Sequence, residues 1–341
     1  MNIKTFKGNF FEIGKQQGMI MKNNGMNLDG VIANKKIIGE QLKIYQKYYP
    51  ERIEELRGIS KGGGYNEEKV FQIYLAGELM QFSKRIKKPL ACTIFGVKNK
   101  NGVFIGRNLD WLPVTEKIME VYRQEAIGKY KLLAVSDMFI ETKEDVDGKF
   151  LFYDAIDVIN EKGLFIGITF AYGDNCSYGF SWKEITKYIG ENCSIVKEAL
   201  GVFKKIPVGI PKNFFIADKN GEMVVVEHNV SEYKVLYPKN NVLIHTNHYL
   251  DPDLAKKDRV LVELPYHNTF IRYYEALQKI NFVKEKFSLS EVIKILGNPR
   301  YYLCQNHEIR TIWTLALDMI NGEYKIYWDH FGKKETKKLE I

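Results

Sequence analysis

Cys92 follows the small Ala91, where the basic stretch Lys84-Arg85-Ile86-Lys87-Lys88-Pro89 gives way to apolar, β-branched sequence. A thiol in that position has two readings. In a strand it can be an inert filler of the core. With polar neighbours it can be a nucleophile that carries an acyl group as a thioester. The neighbours favour chemistry. Asn99-Lys100-Asn101-Gly102 separates the runs Cys92–Lys98 and Val103–Leu109, and Asn-Gly between two such runs signals a hairpin. The hairpin returns the chain to its starting end, so Arg107, Asn108 and Asp110 arrive near Cys92. Three polar side chains there are costly if buried without partners. Spacing alone leaves the register open by one residue, and with it the face each side chain takes.

The elements that must position these residues can be read from period and punctuation. Ahead of Cys92, periodic apolar segments predict helices over 10–23, 31–48, 51–60 and 67–83. Pro50 stops the second, Gly62-Gly63-Gly64 read as a C-cap and turn, and Asn66 caps the fourth. Residues 84–89 read as an exposed linker. After Cys92, strands are predicted over 118–124, 132–136, 149–153, 156–159, 163–171, 214–217, 223–228, 235–237, 242–246, 311–319 and 324–328. Helices are predicted over 182–189, 195–205, 268–281 and 289–296, and the tail over 333–338 is expected to fray. Strands grouped apart from helices argue for an α+β protein, with two sheets face to face and helices outside.

Composition narrows the function. The chain has 341 residues and a formal charge of +8, with 45% hydrophobic and 27% charged residues. Residues 1–91 hold 16 basic and 9 acidic side chains, so the excess belongs to this segment. Its lysines are scattered among glutamates along helices, the pattern of solvated faces rather than of a nucleic-acid stripe. No apolar run reaches membrane-spanning length and no secretory leader is visible, so a cytoplasmic location is expected. Four cysteines at irregular spacing fit neither a disulfide framework nor a zinc motif. His245 and His248 read as the end of a strand, and no metal or other cofactor is expected. The glycine cluster at 62–64 lacks the strand before it and the Gly-Lys-Ser/Thr after it that a phosphate loop needs.

The segment CTIFGVKNKNGVFIGRNLDW resembles the nucleophile hairpin of the family that contains choloylglycine hydrolase, penicillin V acylase and acyl-coenzyme A:6-aminopenicillanic acid acyltransferase (peptidase C45). GNFFEIGKQQG and EELRGISKGGG resemble the opening motifs of the acyltransferase group. NEKGL at 160–164 resembles a turn of both groups, and NFFIADKNGEMVVVEHN and HTNHY resemble the segments around the family asparagine. The resemblance implies an N-terminal-nucleophile (Ntn) hydrolase fold, an αββα four-layer sandwich of two antiparallel sheets preceded by a helical segment. It implies self-cleavage between Ala91 and Cys92, dividing the chain into a helical segment, 1–91, and a catalytic domain, 92–341, that stay associated. The new α-amine of Cys92, with an ordinary pKa of about 7.7–8.0, can then serve as base for its own thiol.

The resemblance also assigns roles. Cys92 is the nucleophile, Asp110 orients its amine, and Asn247 helps to stabilise the oxyanion. Arg310 matches a functional arginine of the acyltransferase group, and Arg107 the substrate-side arginine of choloylglycine hydrolases. Arg272 resembles a second recurring arginine, read here as a helix-face ion pair. Where those hydrolases carry an Asn or Tyr after NEKGL, this chain has Ile168-Thr169-Phe170, so a backbone N–H would be the second oxyanion donor. The expected substrate is a small-molecule amide or an acyl-coenzyme A, hydrolysed or transferred. The alternatives are an acyl-coenzyme A thioesterase and a non-catalytic acyl- or peptide-binding protein on the same scaffold.

Overall fold

The computed structural model describes residues 2–77, 79, 91–136, 153–263 and 267–341. Its centre is a pair of sheets. The smaller is ordered β11-β2-β3-β12-β13-β14 and carries the hairpin β2 (Ala91–Asn99) and β3 (Gly102–Trp111). Beside it run β11 (Val242–His245), β12 (Arg310–Asp318), β13 (Glu323–Trp328) and β14 (Glu335–Leu339). The larger is ordered β1-β4-β5-β6-β7-β8-β9-β10. It contains β1 (Lys4–Gly8), β4 (Glu120–Ala126), β5 (Leu132–Ser136), β6 (Asp157–Asn160), β7 (Leu164–Phe170), β8 (Lys212–Asp218), β9 (Met223–His228) and β10 (Tyr233–Leu236).

The sheets pack face to face closely enough that Gly96 of β2 has no room for a side chain. A Cβ there would lie 2.5 Å from the Met223 sulfur of the opposite sheet. Both sheets contribute to one apolar core, which includes Cys92, Ile94, Ile105 and Leu315 from one and Ile166, Phe215 and Val225 from the other. On the outer face of the smaller sheet, α7 (Thr269–Val283) and α8 (Leu289–Leu296) bury Ala276, Ile280, Val292 and Leu296 against Phe95, Phe104 and Ala316. Against the larger sheet lie α5 (Trp182–Asn192) and α6 (Val196–Phe203), together with the N-terminal helices. These layers are the αββα sandwich expected of an Ntn hydrolase.

The N-terminal helices are α1 (Phe10–Asn23), α2 (Lys35–Tyr48), α3 (Pro50–Gly63) and α4 (Glu67–Phe71). Asn9 and Glu12 form a reciprocal cap at the start of α1. α1 and α3 touch through glycine. A Cβ on Gly14 would lie 1.8 Å from the Glu55 carbonyl oxygen, and one on Gly58 would lie 2.1 Å from that of Phe11. Only Gly64, with φ of 68°, is the left-handed cap of α3. Gly62 instead meets the Lys15 backbone. The motifs GNFFEIGKQQG and EELRGISKGGG are thus the two sides of one helix contact.

Four expectations change. The first segment is not wholly helical, because β1 pairs parallel with β4 and so belongs to the larger sheet. That one parallel pair also makes the larger sheet mixed rather than purely antiparallel. The tail does not fray, because Glu335–Leu339 pairs with β13 and Leu339 is buried. The fourth helix widens into a π-helical turn over Gln72–Ala76. The linker at 84–89, the end of the helix expected to reach 83 and nearly all of the strand expected over 149–153 lie outside the described residues.

Candidate active site

The β2–β3 register settles the faces that spacing left open. Cys92 pairs with Leu109, Ile94 with Arg107, Thr93 with Asn108 and Ala91 with Asp110. Cross-strand partners share a face and faces alternate along a strand. Cys92 and Arg107 therefore point between the sheets, while Thr93, Asn108 and Asp110 point toward the outer helices. All of them are buried.

Asn247 comes from the neighbouring strand. In the β11–β2 ladder His245 pairs with Ile94, and the ladder ends there. Asn247, two residues on, falls beside Cys92. Its Oδ1 accepts the Cys92 backbone N–H at 2.8 Å, and its Nδ2 donates to the Phe170 carbonyl at 3.3 Å. Its own backbone N–H donates to the Thr269 hydroxyl at 2.8 Å, which anchors the turn to α7.

Arg272 reaches in from α7 and is fully buried. Its Nη2 donates to Asn247 Oδ1 at 2.7 Å, and its Nη1 to the Thr93 hydroxyl at 3.1 Å and to the Cys92 carbonyl. Nε donates to Asn268 Oδ1 at 2.9 Å. Among the described residues Arg272 makes no helix-face ion pair, and it clamps the backbone of Cys92 instead. Arg310 is placed differently. It is half-buried at the start of β12, with its guanidinium 3.1 Å from Glu116 and over the Phe331 ring. Of these two arginines, Arg272 is the one whose hydrogen bonds reach Cys92.

Asp110 accepts a 2.6 Å bond from the Thr311 hydroxyl through Oδ1. Its Oδ2 is buried and has no hydrogen-bond partner among the described residues. Burial pushes its pKa up to about 6, against the opposing pull of Arg272, Thr311 and Arg107. Burial likewise pushes the Cys92 thiol up, while Arg107 and Arg272 favour the thiolate and Asp110 and Asp157 oppose it.

Arg107 shares a face with the sulfur, and its charge favours the thiolate. Its Nε lies 2.9 Å from Asp157 Oδ1 and 2.8 Å from Oδ2. Nη2 donates to the Ile168 carbonyl at 3.3 Å and Nη1 to the Asn108 carbonyl. Expected on the substrate side, Arg107 is enclosed by protein groups and bears on the thiol. Asp157, Thr269 and Thr311 were not singled out from sequence, because only packing between distant elements brings them to the site, and Thr93, adjacent to Cys92, shows its part only through its bond from Arg272.

The neighbouring histidines are engaged with protein groups. His245 lies 2.8 Å from Glu227 and 3.1 Å from the Thr169 hydroxyl, and His248 lies 2.9 Å from the Thr269 hydroxyl. Among the described residues no group of three or more His, Cys, Asp or Glu could hold a metal. No helix among them is long and apolar enough to cross a membrane.

Residues 97–333 match the model of a family described as acyl-coenzyme A:6-aminopenicillanic acid acyl-transferase. That span includes Arg107, Asp110, Asn247 and Arg272 and begins just after Cys92. No curated protein matches the sequence. Among solved structures, a mutant of the conjugated bile acid hydrolase from Clostridium perfringens is 16% identical, covering 73% of this chain and 92% of its own at a TM-score of 0.49. Penicillin V acylase from Agrobacterium tumefaciens is 17% identical, covering 73% and 86% at 0.49. The Caenorhabditis elegans ortholog of N-acylethanolamine-hydrolyzing acid amidase is 14% identical, covering 73% and 100% at 0.49. With the family model spanning well over half of its length, the chain belongs to the acyl-coenzyme A:6-aminopenicillanic acid acyl-transferase family.

Proposed function

We propose that this protein cuts its own backbone between Ala91 and Cys92 and then uses the Cys92 thiol to hydrolyse, or transfer the acyl group of, a linear amide. One observation carries the reading. The backbone N–H and carbonyl of Cys92 are gripped by the side chains of Asn247 and Arg272, with a partnerless Asp110 oxygen on the residue opposite Ala91. A structural cysteine needs none of these groups.

In the uncut chain the Cys92 sulfur attacks the Ala91 carbonyl carbon. The thiol proton leaves, the Ala91–Cys92 C–N bond breaks and the departing nitrogen takes up a proton. Water then opens the Ala91 thioester, leaving an Ala91 carboxylate and a free thiol. The α-amine so formed is the base at Cys92. Asp110 Oδ2 supplies an acceptor for that amine, and Asn247 holds it through Oδ1. During turnover the thiol attacks the substrate carbonyl, the amine protonates the leaving nitrogen, and water or an acceptor amine releases the acyl group. Asn247 Nδ2, held among the described residues by one long bond to Phe170, is the donor available to the developing oxyanion.

Intact mass of freshly purified wild-type and Cys92→Ala protein tests the first half. Wild type should divide into two chains and Cys92→Ala should not. A panel of N-acyl amides and acyl-coenzyme A, with and without an added amine acceptor, tests the second half and separates hydrolysis from transfer. Wild type that stays whole yet turns over amides would remove the free amine from the mechanism. Failure of a thiol-directed acylating probe to label Cys92 would favour a binding protein.

A further inference from the structure

Arg107 meets the thiol from within the inter-sheet space, and its own position is fixed by a residue of the opposite sheet. Asp157 starts β6, one step beyond the last paired residues of the β6–β7 ladder, Val158 and Ile166, and so stands beside Gly167. Its carboxylate is fully buried and crosses to the smaller sheet. There it takes Arg107 Nε on both oxygens and the Trp313 Nε1–H on Oδ2 at 3.0 Å. The Arg107 guanidinium lies 5.8 Å from the Trp313 ring centre. Gly167 makes the crossing possible, since a Cβ there would lie 2.6 Å from Asp157 Oδ1. Asp157 of β6, Gly167 of β7 and Trp313 of β12 thus converge on one guanidinium, which shares the inter-sheet face of the hairpin with the Cys92 sulfur.

We propose that Asp157 is a positioning residue that, held by Trp313 and given room by Gly167, fixes the Arg107 guanidinium against the Cys92 sulfur and so governs the reactivity of the thiol. The inference rests on Cys92 being the nucleophile. Its importance is greatest before cleavage, when the Cys92 nitrogen is an amide and cannot act as a base. The charged groups around the sulfur are then Arg107, Arg272, Asp110 and Asp157. Of these Arg107 has the largest effect in favour of the thiolate, and Asp157 is its only acidic partner among the described residues. A guanidinium that drifts by about an ångström loses much of its effect, as a misplaced group in a catalytic array does.

The test uses three variants of the full chain. Gly167→Ala keeps every charge and displaces the carboxylate. Asp157→Asn keeps the shape and removes the charge. Trp313→Phe removes one donor from a ring-filled site and is the mildest. Two readouts are taken: the pH dependence of iodoacetamide alkylation at Cys92, followed by peptide mass, and kcat and KM on an N-acyl 4-nitroanilide that wild type turns over. Gly167→Ala should move the alkylation inflection to higher pH and lower kcat about tenfold to 100-fold with KM nearly unchanged. Asp157→Asn should lower kcat similarly, and Trp313→Phe should act as Gly167→Ala does, more weakly. A lowered melting temperature with a wild-type inflection and kcat would overturn the proposal by showing a role in folding alone. If the first two variants yield no folded protein, Trp313→Phe decides on the same readouts. A Cys92→Ala control separates the two failures. Turnover by that control would defeat the nucleophile reading, whereas an inactive control beside variants with wild-type inflection and kcat would defeat only the role of Asp157.

Discussion

Asn247 presents its side-chain oxygen 2.8 Å from the Cys92 backbone nitrogen, just past the point where the β11–β2 ladder ends. The amide therefore has its two ends in different environments. Oδ1 holds the nucleophile's nitrogen and the Arg272 guanidinium, and Nδ2 makes one long bond. A neutral donor held this way acts on charge that develops in the transition state. Asn247→Ala should lower kcat about 100- to 1,000-fold and leave KM close to wild type. Steady-state kinetics on a cleaved amide check this, and an unchanged kcat with raised KM would place Asn247 outside the oxyanion site.

The two arginines should part company under mutation. Arg272 is buried and bonds to Cys92, Thr93, Asn247 and Asn268. Removing it leaves those acceptors and the buried Asp110 with less compensation, a loss of about 3–5 kcal/mol. Arg272→Ala should melt well below wild type and fail to mature. Arg310 forms a half-exposed pair with Glu116, and such pairs contribute about 0–1 kcal/mol. Arg310→Ala should fold and mature as wild type does. Melting curves and intact masses of both variants decide, and arrest of maturation in Arg310→Ala alone would return that residue to the site.

That difference also marks what could be read in advance. The hairpin was legible because Asn-Gly punctuation and β-branched runs are local signals, and Cys92, Arg107 and Asp110 lie within one such unit. Asn247 was legible only by resemblance, since a Thr-Asn-His turn at a strand end has many uses. Arg272 and Asp157 were not legible as site residues. Each is one charged residue on an otherwise ordinary helix or strand, and its partner is set by packing between layers. β1 was missed because Lys-Thr-Phe-Lys-Gly carries one buried side chain, Phe6, too few to show an alternating pattern. β14 was missed because Glu-Thr-Lys-Lys-Leu is polar at four of five positions and buries only its last residue.

Asp110 couples stability and activity in opposite directions. Its folded pKa, about 6, stands above an ordinary value of 3.8 because burial disfavours the charge. A folded state that holds its proton more tightly than the unfolded one loses stability as pH rises from about 4 to about 6. Above that window the full cost remains, at most about 3 kcal/mol for a shift of this size. Asp110→Asn, uncharged throughout, should therefore melt higher than wild type at pH 8 and lose that advantage near pH 4. It should be inactive at both, because the amine of Cys92 loses its anion. Wild-type activity should fall as pH drops below the amine's own pKa. Thermal melts across pH check the first claim, and a variant less stable than wild type at pH 8 would count against a buried, costly carboxylate.

Glycine at the α1–α3 contact makes a sharper stability prediction than any charge. Gly14 and Gly58 face carbonyl oxygens of the opposite helix at distances no Cβ can occupy. Alanine at either position has to push two backbones apart, a cost of about 1–3 kcal/mol, although alanine is the better helix former. Gly39, with open space around it on α2, is the control. Gly39→Ala should be neutral or stabilising, while Gly14→Ala and Gly58→Ala should lower the midpoint of urea unfolding. Equal midpoints for all three would mean that the helices do not pack this closely.

The last prediction concerns the two pieces after cleavage. A cut at Ala91–Cys92 leaves 91 and 250 residues of the 341, and what holds them is visible between α3 and α5. Arg52 donates to both oxygens of Glu184 at 2.8 and 2.9 Å and lies 2.8 Å from Glu55. Lys187 reaches Glu55 at 3.2 Å and Glu191 at 3.3 Å, and the Tyr49 hydroxyl donates to Glu191. All six side chains are almost completely buried, so each charge depends on the others for solvation. β1 adds a backbone ladder with β4, on the far side of the cut. Neither feature requires the Ala91–Cys92 bond. The cleaved protein should elute as one species of about the uncut size and separate into two chains only in denaturant. Arg52→Ala leaves Glu184 and Glu55 buried with less compensation, a cost of about 3–5 kcal/mol. In that variant the pieces should come apart or precipitate after cleavage. Size exclusion of the matured proteins reads the outcome directly, and an Arg52→Ala complex as durable as wild type would shift the main attachment to the apolar contacts and the β1 ladder.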